Sequence, residues 1–182
     1  MHKLLNLGCG TRFHRSWTNI DFSSSDKSVI AHNLLKGIQY NDNFFDVVYH
    51  SHVLEHFTKS DAKKFLLECF RVLKPNGHFS ISDIVIEGQL PAAIKTAAEM
   101  YAGCVSGAIN KEEYLQLIKG AKFENITVQK QKTIVIPDDI LSQYLTAQEI
   151  RDFRSGDNNI QSITVYAEKA NVQSCCSSDC CN

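Results

Sequence analysis

The chain has 182 residues, of which 43% are hydrophobic, and its 19 basic and 20 acidic side chains give a formal net charge of −1. Because a domain spans about 150 residues on average, this length predicts one domain, and the apolar fraction excludes wholesale disorder. The nearly neutral charge argues against a nucleic-acid-binding protein, and no apolar run reaches the roughly 18–20 residues that a membrane-spanning helix needs. The N-terminus shows neither a signal-peptide nor a transit-peptide pattern, so we expect a cytoplasmic protein.

The first half of the sequence is predicted to contain four strands and one long helix. An apolar stripe at helical spacing from Ala62 to Leu73 predicts an amphipathic helix. Thr58 or Ser60 can cap its start, and the Pro-Asn-Gly sequence at 75–77 ends it. The strands are predicted at residues 3–7, 18–22, 29–32 and 44–49.

The second half is predicted to contain two helices between strands. Pro91 suits a first helical position, and the next helix has Asn110 as its cap and Gly120 at its end. Glu113 follows Asn110 by three residues, which is the spacing of a capping box. The other segments are three strands at residues 78–85, 125–131 and 162–169 and a polar, partly helical insertion at 138–159.

This order of strands and helices is typical of an α/β fold. Such a fold has a mainly parallel sheet, and its ligands bind at the carboxyl ends of the strands. We expect a single domain over residues 1–170. The low-complexity residues 171–182 are expected to form a flexible, cysteine-rich tail.

A glycine turn follows the first predicted strand. Gly8 and Gly10 flank Cys9, and they let the backbone approach a ligand that a β-carbon would keep away. A dinucleotide fingerprint would need a third glycine where Phe13 stands, and an acidic residue about 20 residues on. Asp21 follows Gly10 after only eleven residues, so a nicotinamide cofactor fits poorly. Asp21 can instead accept both hydroxyls of a ribose, and its alternative role is that of a turn former at a strand end.

Four motifs that occur in order resemble class I S-adenosylmethionine-dependent methyltransferases. They are residues 5–10 (LNLGCG), 17–21 (WTNID), 45–56 (FDVVYHSHVLEH) and 71–77 (RVLKPNG). The resemblance implies a Rossmann-like α/β fold with a seven-stranded sheet, helices on both faces and a shortened first helix. It also implies S-adenosylmethionine as cofactor, although the family more often has Asp where Asn33 stands. The implied cofactor-binding residues are Gly8, Cys9, Gly10, Asp21, Asn33, Leu34 and His50.

The segment from His52 to His56 also matches the H-x-x-E-H pattern of a zinc peptidase. The methyltransferase interpretation is favoured, because in that family the same stretch follows the fourth strand and shapes the substrate pocket. The sequence supplies no obvious third zinc ligand in a suitable context. His52 and Glu55 are catalytic candidates, as is Cys104 in the second half of the sequence. His50, His52 or Glu55 could act as a base if the methyl acceptor is an oxygen, nitrogen or carbon atom.

The second half resembles arsenite methyltransferases over residues 99–108 (EMYAGCVSGA), 114–115, 121–123 and 162–167. In that family the cysteine of the Gly-Cys segment binds trivalent arsenic, which implies this role for Cys104. Trivalent arsenic is soft and prefers thiolates over oxygen or nitrogen ligands. The alternative for Cys104 is a small buried residue near a helix end.

The arsenite enzymes carry a cysteine where His52 stands, and they carry further cysteines ahead of the glycine turn. One core thiol cannot make a three-thiolate site. Either the tail closes over the pocket, or small thiols complete the coordination, or the substrate differs. The candidate metalloid ligands are Cys104, Cys175, Cys176, Cys180 and Cys181.

These features predict an S-adenosylmethionine-dependent methyltransferase that acts on a small molecule, with arsenite or its thiol conjugate as the leading acceptor. A generic oxygen, nitrogen or carbon methyltransferase is the main rival in the same class. A metalloid-binding protein with little methyltransferase activity is the alternative from another class. A protein- or RNA-modifying enzyme is disfavoured by the short chain and by its lack of basic patches.

Overall fold

In the computed structural model of the chain, seven strands of the described residues form one sheet. The structure describes residues 2–24, 26–101, 105 and 107–171. The strands are β1 (Leu4–Leu7), β2 (Thr18–Asp21), β3 (Val29–Ala31), β4 (Phe45–Ser51), β5 (Leu73–Glu87), β6 (Glu124–Thr133) and β7 (Asn159–Glu168). Their order in the sheet is β3-β2-β1-β4-β5-β7-β6. β7 runs antiparallel to both of its neighbours, and the other pairs are parallel, which confirms the predicted α/β sheet.

Side-chain caps begin three of the five described α-helices, at Thr58, Asn110 and Thr146. Thr58, one of the two candidate caps, accepts the Asp61 amide at 3.2 Å. A reciprocal capping box forms at Thr146 and Glu149, whereas Glu113 pairs with a lysine. The helices are α1 (Lys59–Val72), α2 (Ala92–Tyr101), α3 (Lys111–Gly120), α4 (Asp138–Leu141) and α5 (Ala147–Ser155), with 3₁₀ helices at Leu34–Lys36 and Leu54–His56. In the part of the chain described here, no helix has the length and apolarity that crossing a membrane requires.

Alternation along β5 sends its side chains into two hydrophobic cores, because successive residues of a strand point to opposite faces. Phe79 and Ile81 belong to the main core, which also holds the buried faces of α1 and α3. Ile84 belongs to a smaller core with side chains of α2 and α4. Helices therefore pack on both faces of the sheet. The smaller core holds α2 over the carboxyl end of β5.

The segment between β1 and β2 forms turns instead of a helix, and two buried asparagines hold it. Asn6 donates to the Arg12 carbonyl and to the Asn19 side chain, both at 3.3 Å. Asn19 donates to the carbonyls of His14 and Trp17, both at 3.0 Å. These bonds replace the backbone pairing that a helix would provide, and they satisfy carbonyls that face the protein interior. The first helix, which was predicted to be shortened, is replaced entirely by turns between β1 and β2.

Candidate functional site

Two adjoining pockets open at the carboxyl ends of β1, β2 and β4, and both are lined by Gly8 and His52. Their volumes are about 260 and 380 Å³. The smaller pocket is also lined by Asp21, Phe22, His32, Asn33, Leu34, Val53, His56 and Phe57. The larger pocket is also lined by Asn6, Cys9, Gly10, Thr11, Arg12, Tyr49 and Ser51. We call the two pockets together the cleft.

The glycine turn forms the floor of the cleft. Gly8 and Gly10 have φ angles of +62° and +53°, a region that side-chain-bearing residues rarely adopt. A β-carbon on Gly8 would lie 2.4 Å from Val53 Cγ2, whereas nothing lies within 4 Å of the corresponding position on Gly10. The Gly8 amide donates to the Ile20 carbonyl at 2.8 Å. The turn is thus fixed against β2 and leaves open space above Gly10.

Asp21 ties the end of β2 to this turn. Its Oδ2 accepts the Gly10 amide at 2.8 Å, and its Oδ1 accepts the Ser23 amide at 3.4 Å. These bonds show the turn-forming role of Asp21, and the acceptance of ribose hydroxyls stays a prediction. Beside it, burial and the Asp21 charge raise the pKa of the Cys9 thiol, so Cys9 stays protonated at neutral pH.

Asn33 and Leu34 line the smaller pocket, as the resemblance implies, but Asn33 also caps a helix. Its Oδ1 accepts the Leu35 amide at 3.0 Å and begins the 3₁₀ helix. Phe22 lines the same pocket with 75% of its surface exposed. Sequence reasoning missed Phe22, although it directly follows Asp21 at the end of a strand that ends at the cleft.

His52 and Glu55, two of the catalytic candidates, are brought together by a tight turn after β4. His52 Nδ1 lies 3.1 Å from Glu55 Oε1, with 43% of the histidine side chain exposed and 1% of the glutamate side chain. His52 has a φ of +55°, and its amide donates to the Ser82 carbonyl at 3.0 Å. Pairing with a carboxylate favours the tautomer that carries the proton on Nδ1, so Nε2 retains the lone pair of a base.

The structure places His50 in the core, and its side chain lines neither pocket of the cleft. It is fully buried, with the rings of Phe65 and Phe79 at centroid distances of 5.2 and 5.4 Å. Burial lowers the pKa of His50 to about 4, while Asp83, at 3.9 Å, opposes this shift. His50 is therefore a neutral packing residue at physiological pH, and its side chain does not reach the cleft in which the implied cofactor-binding residues were expected.

The candidate metalloid ligands lie outside the described residues: Cys104, Cys175, Cys176, Cys180 and Cys181. Gly107, three residues after Cys104 in sequence, packs on the backbone of Glu55, since a β-carbon on Gly107 would overlap the Glu55 carbonyl oxygen. Among the described residues, no group of three or more His, Cys, Asp or Glu side chains is arranged to hold a metal ion. The H-x-x-E-H sequence thus forms a histidine–carboxylate pair in this fold.

A protein family described as a methyltransferase domain matches residues 18–132 of this chain. An arsenite methyltransferase from Aquipseudomonas alcaligenes is 25% identical over 111 residues, which are 61% of this chain and 32% of that protein. The chain thus spans about a third of the length of this curated relative.

Solved structures share the fold at low sequence identity. An arsenic(III) S-adenosylmethionine methyltransferase from Chlamydomonas reinhardtii has a TM-score of 0.63 and 19% identity, covering 94% of this chain and 65% of that chain. The YcgJ protein from Bacillus subtilis has a TM-score of 0.65 and 14% identity, covering 93% and 92%. The family match extends over more than half of the chain, and the predicted resemblance is confirmed. The chain belongs to the family of methyltransferase domains.

Proposed function

We propose that the cleft binds S-adenosylmethionine and that the domain methylates a small molecule, with thiolate-bound trivalent arsenic as the leading acceptor. The observation that carries the proposal is the glycine turn, which is closed by Val53 below Gly8 and open above Gly10, with the Asp21 carboxylate hydrogen-bonded to the Gly10 amide. The arsenite methyltransferase relative and the structurally similar arsenic(III) enzyme support the choice of acceptor.

The residues of the cleft fit the parts of this cofactor. The Asp21 carboxylate can accept hydrogen bonds from ribose hydroxyls, and charge-assisted bonds of this kind are worth more than neutral ones. The exposed Phe22 ring offers an aromatic surface for a purine base. Arg12, which lines the larger pocket, can pair with an amino-acid carboxylate. When bound, the cofactor supplies an electrophilic methyl group on a sulfonium sulfur.

The acceptor decides which residues the reaction needs. Arsenic bound by thiolates presents a lone pair that would bond to the methyl carbon without a base. The carbon–sulfur bond of the sulfonium would break with its electron pair on sulfur, S-adenosylhomocysteine would leave, and the chain's role would be to hold the acceptor in line. Cys104 is our candidate thiolate. Gly107, three residues after Cys104 in the sequence, packs on the backbone of Glu55, which belongs to the turn that carries His52. An acceptor with an O–H or N–H group would instead need to lose its proton, for which His52 Nε2 is our candidate base.

Calorimetric titration with S-adenosylmethionine tests the cofactor half of the proposal. We expect the reduced protein to bind it, and Asp21→Asn to weaken binding by roughly tenfold, since a bond to a charged group is worth about 1.5–3 kcal/mol. Asp26→Asn is the matched control, because Asp26 is an aspartate of the next loop whose carboxylate accepts the Ser28 amide away from the cleft. If the unchanged protein did not bind S-adenosylmethionine, the methyltransferase hypothesis would be wrong, and the metalloid-binding alternative would remain.

Incubation with arsenite, glutathione and S-adenosylmethionine tests the acceptor. We expect methylated arsenic as product, its loss in Cys104→Ser, and only a small decrease in His52→Ala because no base is needed. Cofactor binding without arsenic methylation would retain the methyltransferase and discard arsenic. A product that depends on His52 more than on Cys104 would favour an acceptor that must be deprotonated.

A further inference from the structure

Asp83 is a buried carboxylate that the chemistry above does not use. It lies near the carboxyl end of β5 with 1% of its surface exposed. Its Oδ1 accepts the Val53 amide at 3.2 Å, and its Oδ2 accepts the Tyr114 hydroxyl at 2.7 Å. A buried carboxylate is costly unless it is hydrogen-bonded, so these two donors compensate its burial. One of them belongs to the turn that carries His52.

β5 holds two successive amides of this turn. The Ser82 carbonyl accepts the His52 amide at 3.0 Å, and the side chain of the next residue, Asp83, accepts the Val53 amide. His52 has a φ of +55°, which is uncommon for a residue with a side chain. Such a conformation persists where its surroundings determine it strongly. The two bonds from β5 provide this determination.

The same turn forms one side of the cleft. Val53 packs on the glycine turn, since its Cγ2 lies 2.4 Å from where a β-carbon on Gly8 would be. His52 lines both pockets and pairs with Glu55. The Val53 amide therefore connects Asp83 to the floor of the cleft and to the histidine–carboxylate pair.

We propose that Asp83 is a positioning residue, whose carboxylate fixes the turn at residues 52–55 and thereby sets both the orientation of His52 and the contact of Val53 with Gly8. Tyr114 on α3 contributes by holding the carboxylate with its hydroxyl. The effect on cofactor binding rests on the proposed function. The effect on the turn does not, and this separates the two in an experiment.

Amide hydrogen exchange measured by NMR on the full, reduced chain is the first test. In Asp83→Ala we expect the Val53 amide to exchange at least about tenfold faster than in the unchanged protein, because its buried acceptor is lost. Asp83→Asn retains an oxygen that can accept this amide, so it should restore most of the protection. Ile118→Ala is the control, because it removes a fully buried core side chain that has no hydrogen bond to the turn.

The second measurement is the affinity for S-adenosylhomocysteine, determined by calorimetry on the same proteins. We expect Asp83→Ala to weaken binding by about tenfold, with recovery in Asp83→Asn and little change in Ile118→Ala. If Asp83→Ala does not fold, Tyr114→Phe, which keeps the ring, should still accelerate Val53 exchange by a few-fold.

Equal Val53 exchange in Asp83→Ala and in Ile118→Ala would overturn the positioning role. If the unchanged protein did not bind S-adenosylhomocysteine, the proposed function would fail, and the exchange rates would still decide the role of Asp83.

Discussion

The Cγ2 methyl group of Val53 occupies the space that a β-carbon on Gly8 would need, at a separation of 2.4 Å. Gly10 has nearly the same positive φ, but the corresponding space is open. The two glycines thus separate two physical effects. At Gly10 an added methyl group meets only backbone strain, whereas at Gly8 it meets strain and a steric clash.

We therefore expect Gly8→Ala to destabilise the fold more than Gly10→Ala does. The strain of a left-handed alanine costs about 1 kcal/mol at either position, and overpacking adds roughly 1–3 kcal/mol at Gly8. Urea unfolding of the two variants measures the difference. Adding Val53→Ala to Gly8→Ala should recover part of the loss, and equal losses for the two single variants would contradict the steric explanation.

The exposed Phe22 ring should contribute to cofactor affinity and little to stability. Because stacking of a base on an aromatic side chain is worth about 1–3 kcal/mol, Phe22→Ser should weaken S-adenosylhomocysteine binding by roughly tenfold. The melting temperature of Phe22→Ser should stay close to that of the unchanged protein, since 75% of the Phe22 surface is exposed. Val135→Ser is the control, because Val135 is 62% exposed and lies outside the cleft. Equal affinities for the two variants would remove Phe22 from the site.

Substitution of His52 separates the contribution of its ring from that of its backbone. His52→Gly and His52→Ala both lack the ring, but only glycine adopts a φ of +55° without strain. We expect His52→Gly to be more stable than His52→Ala by about 1 kcal/mol in urea unfolding. If glycine were the less stable of the two, the left-handed conformation of this turn would be in doubt.

The buried His50 should make the fold less stable in mild acid. Its pKa is lowered from 6.5 to about 4 in the folded chain, so between these values the unfolded chain binds a proton that the folded chain does not. Stability therefore falls as the pH decreases from 6.5 towards 4, and the loss between pH 7 and pH 5 is about 2 kcal/mol. Urea unfolding at the two pH values measures it.

His50→Leu should reduce that pH dependence, whereas Ile118→Leu, a change at a buried position without a titratable group, should leave it unchanged. The difference between the two pH values is the readout, so an overall loss of stability in His50→Leu does not affect the conclusion. A pH dependence that is the same in His50→Leu as in the unchanged chain would show that His50 is not held neutral in the core.

The sheet and the long helix were predictable because their signals are local. The predicted stripe from Ala62 to Leu73 has the period of a helix, and Thr58 supplies a cap, although the helix ends at Val72, before the Pro-Asn-Gly sequence. β5 begins at Leu73, five residues before its predicted start, because Leu73 pairs with Phe45 and a register shift then accommodates residues 74–77. Pairing with a distant strand decided this boundary, and the local sequence does not contain that information.

The site was predictable only in part. Asp21 is the last residue of β2 and the glycine turn directly follows β1, so their place at the carboxyl edge follows from the parallel topology. His50 was interpreted as a cleft residue, although it stands two residues after Val48 and shares the buried face of β4. The alternation of β4 indicates a buried position, but a histidine is polar and was therefore expected at the ligand site instead of in the core. The bond between Asp83 and Tyr114 joins positions 31 residues apart, and no pattern in the sequence indicates it.

The reversed direction of β7 determines where the chain leaves the sheet. Glu168 pairs with His78 in the amino-terminal half of β5, so the last described residues emerge at the edge opposite the cleft. At about 3.3 Å per residue, the five steps of β5 from His78 to Asp83 separate the two edges by about 17 Å. A fluorophore or surface linker attached at Asn171 would therefore report on the protein without covering the cleft.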